Sequence, residues 1–287
     1  MKILITGATG NVGRGMTEIL RGRHDVVLHD LGPYETDLPY FQGDLQVGQN
    51  IFRAMQGCDV VVHTPAWHGI HSRTRTRQDF WRLNVDGTHH VFDAAVECGV
   101  KKVVFLSSTA WYGHYDKYGF TKVIGEEICE YFWRNHQIRY AAMRPAAFVP
   151  FRDGVVGAQD MIRRFINADP DRRDVLECVR LAVENEGYTN DWFHILSQHP
   201  FGAEEVARWE GDAVGVLEGR AAGARKLVEK YKLSLAFKLR EADIAKTKSV
   251  LGWQPKHDLV SFMKELILLD SGPGLETLKC DYPLPLA

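Results

Sequence analysis

The sequence predicts an α/β protein with a doubly wound parallel sheet and a smaller, helix-rich C-terminal cap. Two observations support this fold class. Through residue 150, short β-rich runs alternate with longer segments of helical periodicity, which is the pattern of repeated βαβ units. These short runs are apolar throughout, as expected of strands that helices cover on both faces. After residue 150 the alternation gives way mainly to helical segments.

The predicted elements divide the chain into two segments. In residues 1–150 we predict strands over residues 3–6, 26–30, 60–63, 103–107 and 139–143, and helices near residues 12–21, 50–55, 78–98 and 118–136. In residues 151–287 we predict a small substrate-binding cap with helices near residues 158–168, 173–186, 223–231, 242–250 and 259–269, and one strand over residues 192–197 that returns to the sheet. Glycine and proline in residues 271–287 predict an extended tail.

Composition excludes several functional classes. The net charge is −2 over 287 residues, so no global field would attract nucleic acid or an anionic membrane. The N-terminal apolar run is too short for a signal peptide, and no segment approaches the roughly 20 apolar residues of a membrane span. The five cysteines are scattered without C-x-x-C spacing, which argues against disulfides and zinc. We therefore expect a soluble, cytoplasmic protein whose partner is a small molecule.

A glycine-rich motif connects the first predicted strand to the first predicted helix. Gly7, Gly10 and Gly13 permit a tight turn and let backbone N–H groups approach a pyrophosphate at the positive end of the helix. Asp30 ends the second strand, where its carboxylate can accept hydrogen bonds from ribose hydroxyls and repel a 2′-phosphate. The motif predicts a Rossmann-type dinucleotide site that prefers NAD, while Arg14 beside the loop leaves NADP as the less favoured alternative.

Tyr118 and Lys122 lie one helical turn apart on the same predicted face. A tyrosine can act as a base at neutral pH only if its phenolate is stabilised, and an adjacent ammonium contributes to this. The spacing is common by chance and could mark a surface pair. However, Ser108 follows a predicted strand upstream and would present a hydroxyl at the carboxyl edge of the sheet, where ligands of such folds bind.

Taken together, these motifs resemble the extended short-chain dehydrogenase/reductase family, also called the NAD-dependent epimerase/dehydratase family. Further similarities are Gly43-Asp44-Leu45, Asn84 within residues 83–88, Arg144-Pro145 and the segment 251–255. The resemblance implies a catalytic set of Ser108, Tyr118 and Lys122. It also implies that NAD contacts Gly7, Gly10, Asn11, Val12, Gly13, Asp30, Asp44, Leu45, Thr64, Pro65, Ala66, Asn84, Ser107, Tyr118, Lys122, Pro145 and Ala146.

The sequence departs from this family at positions that concern the substrate. Thr109 and Ala110 stand where dehydratases carry an Asp-Glu pair, so an acid or base for elimination is missing. Ala147 replaces an Asn typical of nucleotide-sugar epimerases, and only ten residues separate Ser108 from Tyr118. These departures favour hydride transfer on a small free sugar, sugar acid or lactone, similar to the uronate dehydrogenases. An NAD-dependent (nucleotide-)sugar epimerase and a non-catalytic NAD-binding regulator remain the alternatives.

Several further side chains are candidates for substrate contact, with ordinary aromatic packing as the competing interpretation. They are Trp67, His68, Thr109, Trp111, His114, Arg172 and Arg173. His68 and His71 lack nearby Asp, Glu or Cys in a metal-ligand pattern, so we predict no metal site. The two long helices over residues 78–98 and 118–136 often form a dimer interface in the family, which implies a homodimer.

Overall fold

The computed structural model describes residues 1–113, 116–148 and 157–272. It confirms the predicted fold class, because seven parallel strands form one sheet in the order β3-β2-β1-β4-β5-β6-β7. The order reverses between β1 and β4, which is the position where ligands bind in open α/β sheets. The strands are β1 (Lys2–Thr6), β2 (Asp25–Asp30), β3 (Tyr40–Gln42), β4 (Val60–His63), β5 (Lys102–Leu106), β6 (Arg139–Pro145) and β7 (Asn190–Ile195).

Helices connect the strands and form the C-terminal region. They are α1 (Asn11–Leu20), α2 (Ile51–Met55), α3 (Arg77–Trp81), α4 (Gly87–Cys98), α5 (Ala110–Gly113), α6 (Lys117–His136), α7 (Ala158–Ile166), α8 (Arg172–Glu184), α9 (Ala203–Arg220), α10 (Ala224–Tyr231), α11 (Ala245–Leu251) and α12 (Leu259–Asp270). A π-helical turn, Arg82–Asp86, joins α3 to α4, and short 3₁₀ turns cover Leu45–Val47 and Gly69–Arg73.

Each face of the sheet buries its own apolar core. Helices α1 and α8 cover one face, where residues such as Met16 and Val179 pack on the strands. Helices α2, α4 and α6 cover the other face, with Phe92 and Phe132 at its centre. Both faces are therefore closed to water, which explains why the strands read as continuous apolar runs.

A third apolar cluster holds the cap together. It joins α7, α9, α10 and α12 through side chains that include Phe165, Trp209 and Phe262. Strand β7 comes from the same half of the chain but pairs with β6 in parallel, with Met143 opposite Phe193. The cap therefore begins beside the carboxyl ends of β6 and β7, next to the functional edge of the sheet.

Four of the helices and strands differ from the sequence prediction, and one of them, α5, was not predicted because it has only four residues. Strand β3 was not predicted because its three residues are too few to show periodicity. Helix α9 was not predicted because Gly211, Gly215 and Gly219 interrupt its pattern, and the helix is indeed kinked at Asp212. The continuous helix expected over residues 78–98 is instead interrupted by the π-helical turn. Residues 273–287 of the expected tail lie outside the described residues.

No helix in residues 1–113, 116–148 and 157–272 is both long enough and apolar enough to cross a membrane.

Candidate active site

The glycine-rich loop after β1 is shaped by contacts that only glycine allows. Gly7 has φ +72°, and a Cβ there would lie 2.6 Å from the Thr64 Oγ1 atom. A Cβ at Gly13 would lie 2.0 Å from the Gly7 carbonyl oxygen. The loop therefore packs directly against the end of β4, and the structure brings the predicted residues Gly7, Gly13 and Thr64 together. Gly10 precedes α1 as its N-cap residue.

The first turn of α1 offers backbone donors that no side chain satisfies. Gly10 has no side chain to accept from them, so the leading N–H groups of the helix lack a side-chain cap. The Asn11 Oδ1 atom is buried without a hydrogen-bond partner among the described residues, and Val12 is buried. Such a helix start suits an anion such as a pyrophosphate. The residues present thus fit the predicted dinucleotide.

The adenosine side of the site follows β2. The Asp30 carboxylate accepts hydrogen bonds of 2.8 Å from both the backbone N–H and the hydroxyl of Thr9, which fixes it beside the glycine-rich loop. Asp44 begins the 3₁₀ turn, since its Oδ1 atom accepts from the Gln46 N–H at 2.8 Å, and Leu45 is buried. The contacts of Asp30, Asp44 and Leu45 with adenosine stay a prediction.

Asn84 joins the loop after β4 to helix α6. Its Oδ1 atom accepts from the Trp67 N–H at 2.8 Å, and its Nδ2 group donates to the Trp67 carbonyl and to the Thr121 hydroxyl. Asn84 lies within the π-helical turn, a feature frequent at functional sites. Asn84 is thus hydrogen-bonded to Trp67 in the loop that follows Thr64, Pro65 and Ala66, and its predicted contact with the cofactor stays a prediction.

Ser108, Tyr118 and Lys122 converge at the carboxyl edge of β5. Asp116 caps α6 by accepting from the Gly119 N–H at 2.7 Å, so Tyr118 and Lys122 occupy the first two turns of the helix. Lys122 is almost completely buried, and its Nζ atom donates to the Leu106 carbonyl at 2.6 Å. The Lys122 Nζ atom lies 5.8 Å from the centroid of the Tyr118 ring.

The pKa of Tyr118 differs from the sequence expectation that Lys122 lowers it. Burial raises the pKa of Tyr118 to about 12, although a hydrogen bond with Ser108 lowers it. Burial also lowers the pKa of Lys122 to about 8, opposed by the charge of Glu126. The physical reason is that the Lys122 ammonium is directed at the Leu106 carbonyl and is not among the groups that shift the pKa of Tyr118.

A buried ion pair lies beneath Ser108, Tyr118 and Lys122 and was not found from the sequence. Glu126 is one turn after Lys122, and its carboxylate accepts from the Arg144 Nε atom at 2.9 Å and from the Ser107 hydroxyl. The Arg144 guanidinium stacks on Trp111 at 4.6 Å and on Trp192 at 4.5 Å. The (i, i+4) spacing from Lys122 to Glu126 was the available signal. Ser107 and Trp111 therefore support the site through this pair.

The loop after β4 lies over the tyrosine. The rings of His68 and Tyr118 are 5.5 Å apart between centroids, and a Cβ at Gly69 would lie 3.9 Å from the Tyr118 ring. Burial lowers the pKa of His68 to about 4, so this imidazole is neutral at pH 7. The His71 Nδ1 atom accepts from the His68 N–H at 2.9 Å, and Trp67 stacks on Arg75 at 4.1 Å. Of these side chains, His68 is thus the one that lies beside the Tyr118 ring.

The remaining candidates have varied positions. Thr109 donates its N–H to the Pro145 carbonyl at 3.0 Å, and Ala146 donates to the Ile195 carbonyl, so both turns line the same edge. Arg172 donates to the Asn11 carbonyl at the start of α1, and Arg173 pairs with Asp171. Neither arginine is placed beside Tyr118 by these contacts. His114 lies outside the described residues.

Comparison with known proteins defines the class. The model of the NAD dependent epimerase/dehydratase family matches residues 3–178, which is more than half of the chain. The chain therefore belongs to this family of enzymes, as the sequence motifs predicted, and the family's cofactor agrees with the predicted NAD.

Individual relatives are more distant. A uronate dehydrogenase of Pseudomonas putida is 26% identical over 172 residues, covering 52% of this chain and 62% of the relative. An inverting UDP-N-acetylglucosamine 4,6-dehydratase of Campylobacter jejuni is 27% identical over 170 residues, covering 54% of this chain and 51% of the relative. An uncharacterized protein of Mycobacterium tuberculosis, Rv2047c, is 36% identical over 112 residues, which cover 38% of this chain and 12% of that protein. The chain thus spans less than two thirds of each of these relatives.

Solved structures agree in fold. A short-chain dehydrogenase/reductase superfamily protein of Agrobacterium tumefaciens with bound NAD superposes with a TM-score of 0.71 at 19% identity, covering 92% of this chain and 95% of that one. MoeE5 in complex with UDP-glucuronic acid and NAD has a TM-score of 0.67 at 21% identity, covering 92% and 96%. At these identities the similarity concerns the fold alone.

Proposed function

We propose that this protein is an NAD-dependent dehydrogenase that oxidises a secondary or anomeric hydroxyl of a small carbohydrate, such as a free sugar, sugar acid or lactone. The observation that carries the proposal is the convergence of Ser108, Tyr118 and Lys122 at the sheet edge that also bears the glycine-rich loop. Thr109 and Ala110 follow Ser108, so the described site offers no carboxylate there for dehydration.

The chemistry assigned to these side chains is proton transfer. NAD, when bound, supplies the hydride acceptor. Tyr118 exchanges a proton with the substrate hydroxyl, and Ser108 hydrogen-bonds the same oxygen. Lys122 has three N–H donors, of which the Leu106 carbonyl takes one, so further donors remain for a ribose hydroxyl. We assign the ribose contact to Lys122 for this reason.

The substrate contacts belong to the same proposal. We assign His68 to the substrate because its neutral imidazole is beside the Tyr118 ring and can either donate or accept a hydrogen bond. Thr109 and the rim formed by α5 are the other contacts expected near the reacting carbon.

The experiment is an absorbance assay at 340 nm with NAD and a panel of free aldoses, uronates and sugar alcohols, with nucleotide sugars as the contrasting set. We expect NADH formation with a free sugar or sugar acid and its loss in Tyr118→Phe, which keeps the ring but removes the proton. NAD affinity should remain within about threefold, since the hydroxyl is not needed for cofactor binding. Tyr131→Phe, an exposed tyrosine on the same helix, is the matched control and should retain full turnover.

Other outcomes distinguish the alternatives. Interconversion of sugars without net NADH would replace the proposal with an epimerase. NAD binding without any turnover would replace it with a regulator, and full activity of Tyr118→Phe would remove the assigned proton donor.

We also propose that the protein forms a homodimer through α3, α4 and α6. Trp81 and Phe120 are partly exposed, and their ring centroids are 6.4 Å apart. A cleft of about 410 Å³ lies between α3 and the start of α6. Exposed aromatic side chains on adjacent helices are typical of the buried core of an interface between subunits.

A further inference from the structure

Residues 67–75 form a compact loop between β4 and α3, and we call them the His68 loop. The two ends of this loop meet, because the Arg75 Cζ atom lies 4.1 Å from the centroid of the Trp67 ring. Within the loop, the N–H groups of Thr74 and Arg75 donate to the His71 carbonyl at 3.0 and 2.9 Å. The loop is therefore closed on itself, as compact surface loops with adjacent ends are.

The hydrophobic core does not hold this loop in place. Its central turn, Gly69–Arg73, contains no buried residue, and Ile70 in that turn is 82% exposed. Segments with few buried apolar contacts open locally at a low free-energy cost. The position of the His68 loop therefore depends on polar contacts with the neighbouring elements.

Two side chains outside the loop hold its two ends. At its start, the Asn84 amide is hydrogen-bonded to the N–H and to the carbonyl of Trp67. At its end, the Lys117 Nζ atom donates to the Ser72 carbonyl at 2.7 Å and to the Arg75 carbonyl at 2.6 Å. Hydrogen bonds donated by an ammonium group are stronger than those between neutral groups. Lys117 thus attaches the end of the loop to helix α6.

The place of Lys117 in the chain connects this attachment to the active site. Lys117 is the first residue of α6 and directly precedes Tyr118. The loop that it holds brings the His68 ring to 5.5 Å from the Tyr118 ring, measured between centroids. The same helical turn therefore carries the phenol and the ammonium that fastens a loop over it.

The contacts of Lys117 indicate that it acts through the loop. The pKa of Tyr118 is shifted by burial, by Ser108 and by Asp116, and Lys117 is not among these causes. The Lys117 Nζ atom lies 5.2 Å from the centroid of the Phe80 ring on α3, in addition to its two carbonyl acceptors. An ammonium with an aromatic ring and two carbonyls around it is well suited to fixing backbone.

We propose that Lys117 is a positioning residue of the active site, which holds the His68 loop over Tyr118 through its two hydrogen bonds to the backbone. In this position the loop keeps His68 beside the phenol and excludes water from that side of it. The inference rests on the proposed function only for the role of Tyr118 in proton transfer. Without the Lys117 ammonium, the loop opens and the substrate loses the wall that His68 forms.

Hydrogen exchange with mass spectrometry tests the attachment without turnover. Lys117→Met keeps an aliphatic side chain but removes the donors, so the fragment over residues 69–76 should exchange about tenfold faster than in the wild type. Fragments from strand β5 should keep the wild-type rate, which separates local opening from general destabilisation. Lys117→Arg keeps charged N–H donors and should remain near the wild type. Lys226→Met, at an exposed position on α10, is the matched control.

Acetylation by N-acetylimidazole tests whether the loop covers the phenol. Tyr131, which is 54% exposed on the same helix, is the internal reference and should react rapidly in every variant. In Lys117→Met, Tyr118 should react about tenfold faster relative to Tyr131, in proportion to the opening of the loop. Mass spectrometry gives this ratio in the absence of any substrate.

Steady-state kinetics connects the loop to the reaction. With a sugar that the wild type oxidises, Lys117→Met should raise KM and lower kcat/KM roughly tenfold or more, and Lys117→Arg should recover most of the loss. The affinity for NAD should stay within about threefold, because the His68 loop holds the substrate side of Tyr118. A loss caused by general destabilisation would not be restricted to the substrate in this way.

The results that would overturn the inference are specific. One is wild-type exchange over residues 69–76 in Lys117→Met. Another is faster exchange with unchanged acetylation of Tyr118 or unchanged kcat/KM, because Lys117 would then hold the loop without affecting the site. If the wild type oxidises no sugar, faster exchange and acetylation in Lys117→Met still support the inference, whereas the proposed function fails.

Discussion

Among the described residues, Lys102 and Lys122 are almost completely buried. They differ in the number of carbonyl groups that accept hydrogen bonds from the ammonium group. Lys102 donates to the carbonyls of Val183 and Asn185 at 2.7 and 2.9 Å, and to that of Ala182 at 3.3 Å. Lys122 donates to the Leu106 carbonyl. A buried ammonium with few acceptors is costly for folding, and proteins retain such groups mainly at functional sites.

We therefore predict that Lys122→Met abolishes turnover but stabilises the protein. Burial lowers the pKa of Lys122 from 10.5 to about 8, which corresponds to a penalty of about 3 kcal/mol for the charged form. Loss of the hydrogen bond to Leu106 costs about 1 kcal/mol, so the expected gain in unfolding free energy is about 2 kcal/mol at pH 7.

The pH dependence provides the sharper measurement. The unfolded chain keeps the Lys122 proton up to about pH 10.5, whereas the folded protein releases it near pH 8. Between these values the unfolded state binds more protons, so the wild type gains stability as the pH rises. The advantage of Lys122→Met in urea denaturation should shrink from pH 8 to pH 10. An advantage that stays constant, or that also appears in the exposed Lys248→Met, would contradict this explanation.

At the scale of single elements, helix α8 depends on a residue from β5 to close its C-terminal end. The last carbonyls of a helix lack partners within it, and Lys102 satisfies those of Ala182 and Val183. Replacing Lys102 with Met keeps the aliphatic stem but leaves these buried acceptors without a donor. We expect a loss of about 1–3 kcal/mol in the free energy of unfolding.

Urea denaturation of Lys102→Met and Lys101→Met measures this effect with a control from the next residue. Lys101 is exposed and lies 3.6 Å from Asp59, so its replacement should change stability by less than about 0.5 kcal/mol. Equal stability of the two variants would contradict this expectation. It would show that removing the cost of burying the Lys102 ammonium offsets the loss of its hydrogen bonds.

The sequence could predict those elements that a local pattern specifies. Six of the seven strands follow from apolar runs, and the helix predicted near residues 118–136 corresponds to α6. Helix α9 was not predicted because its stability comes from packing of Trp209 and Leu217 in the cap, whereas its sequence pattern is rich in glycine. Tertiary contacts override local propensity in such a helix.

The same distinction applies to the site. The residues of the glycine-rich loop and of the Tyr118–Lys122 pair lie close together in the sequence, so their spacing and the predicted strands and helices beside them indicate both. The Glu126–Arg144 ion pair joins residues from distant segments, and only the folded chain brings them together. The pKa of Tyr118 belongs to this second class, because burial by the whole site determines it.

At the scale of the whole molecule, helix α6, which carries Tyr118 and Lys122, packs on the protein with one side and carries exposed apolar residues on another. Phe120 is 44% exposed although it is only two residues from Tyr118. If a second copy covers this face, dimerisation also buttresses the first turns of the helix that carry Tyr118 and Lys122. The proposed interface and the catalytic geometry are then coupled through α6.

This coupling predicts the behaviour of Phe120→Glu. Placing a carboxylate in the centre of the interface should convert a dimer of the 32.6 kDa chain into a monomer, because an unpaired charge would be buried on association. Sedimentation velocity gives the mass of each species, and Leu268→Glu, an exposed apolar position on α12, is the matched control that should remain dimeric. A monomeric wild type, or a Phe120→Glu protein that still sediments as a dimer, would place the apolar face of α6 outside any subunit interface.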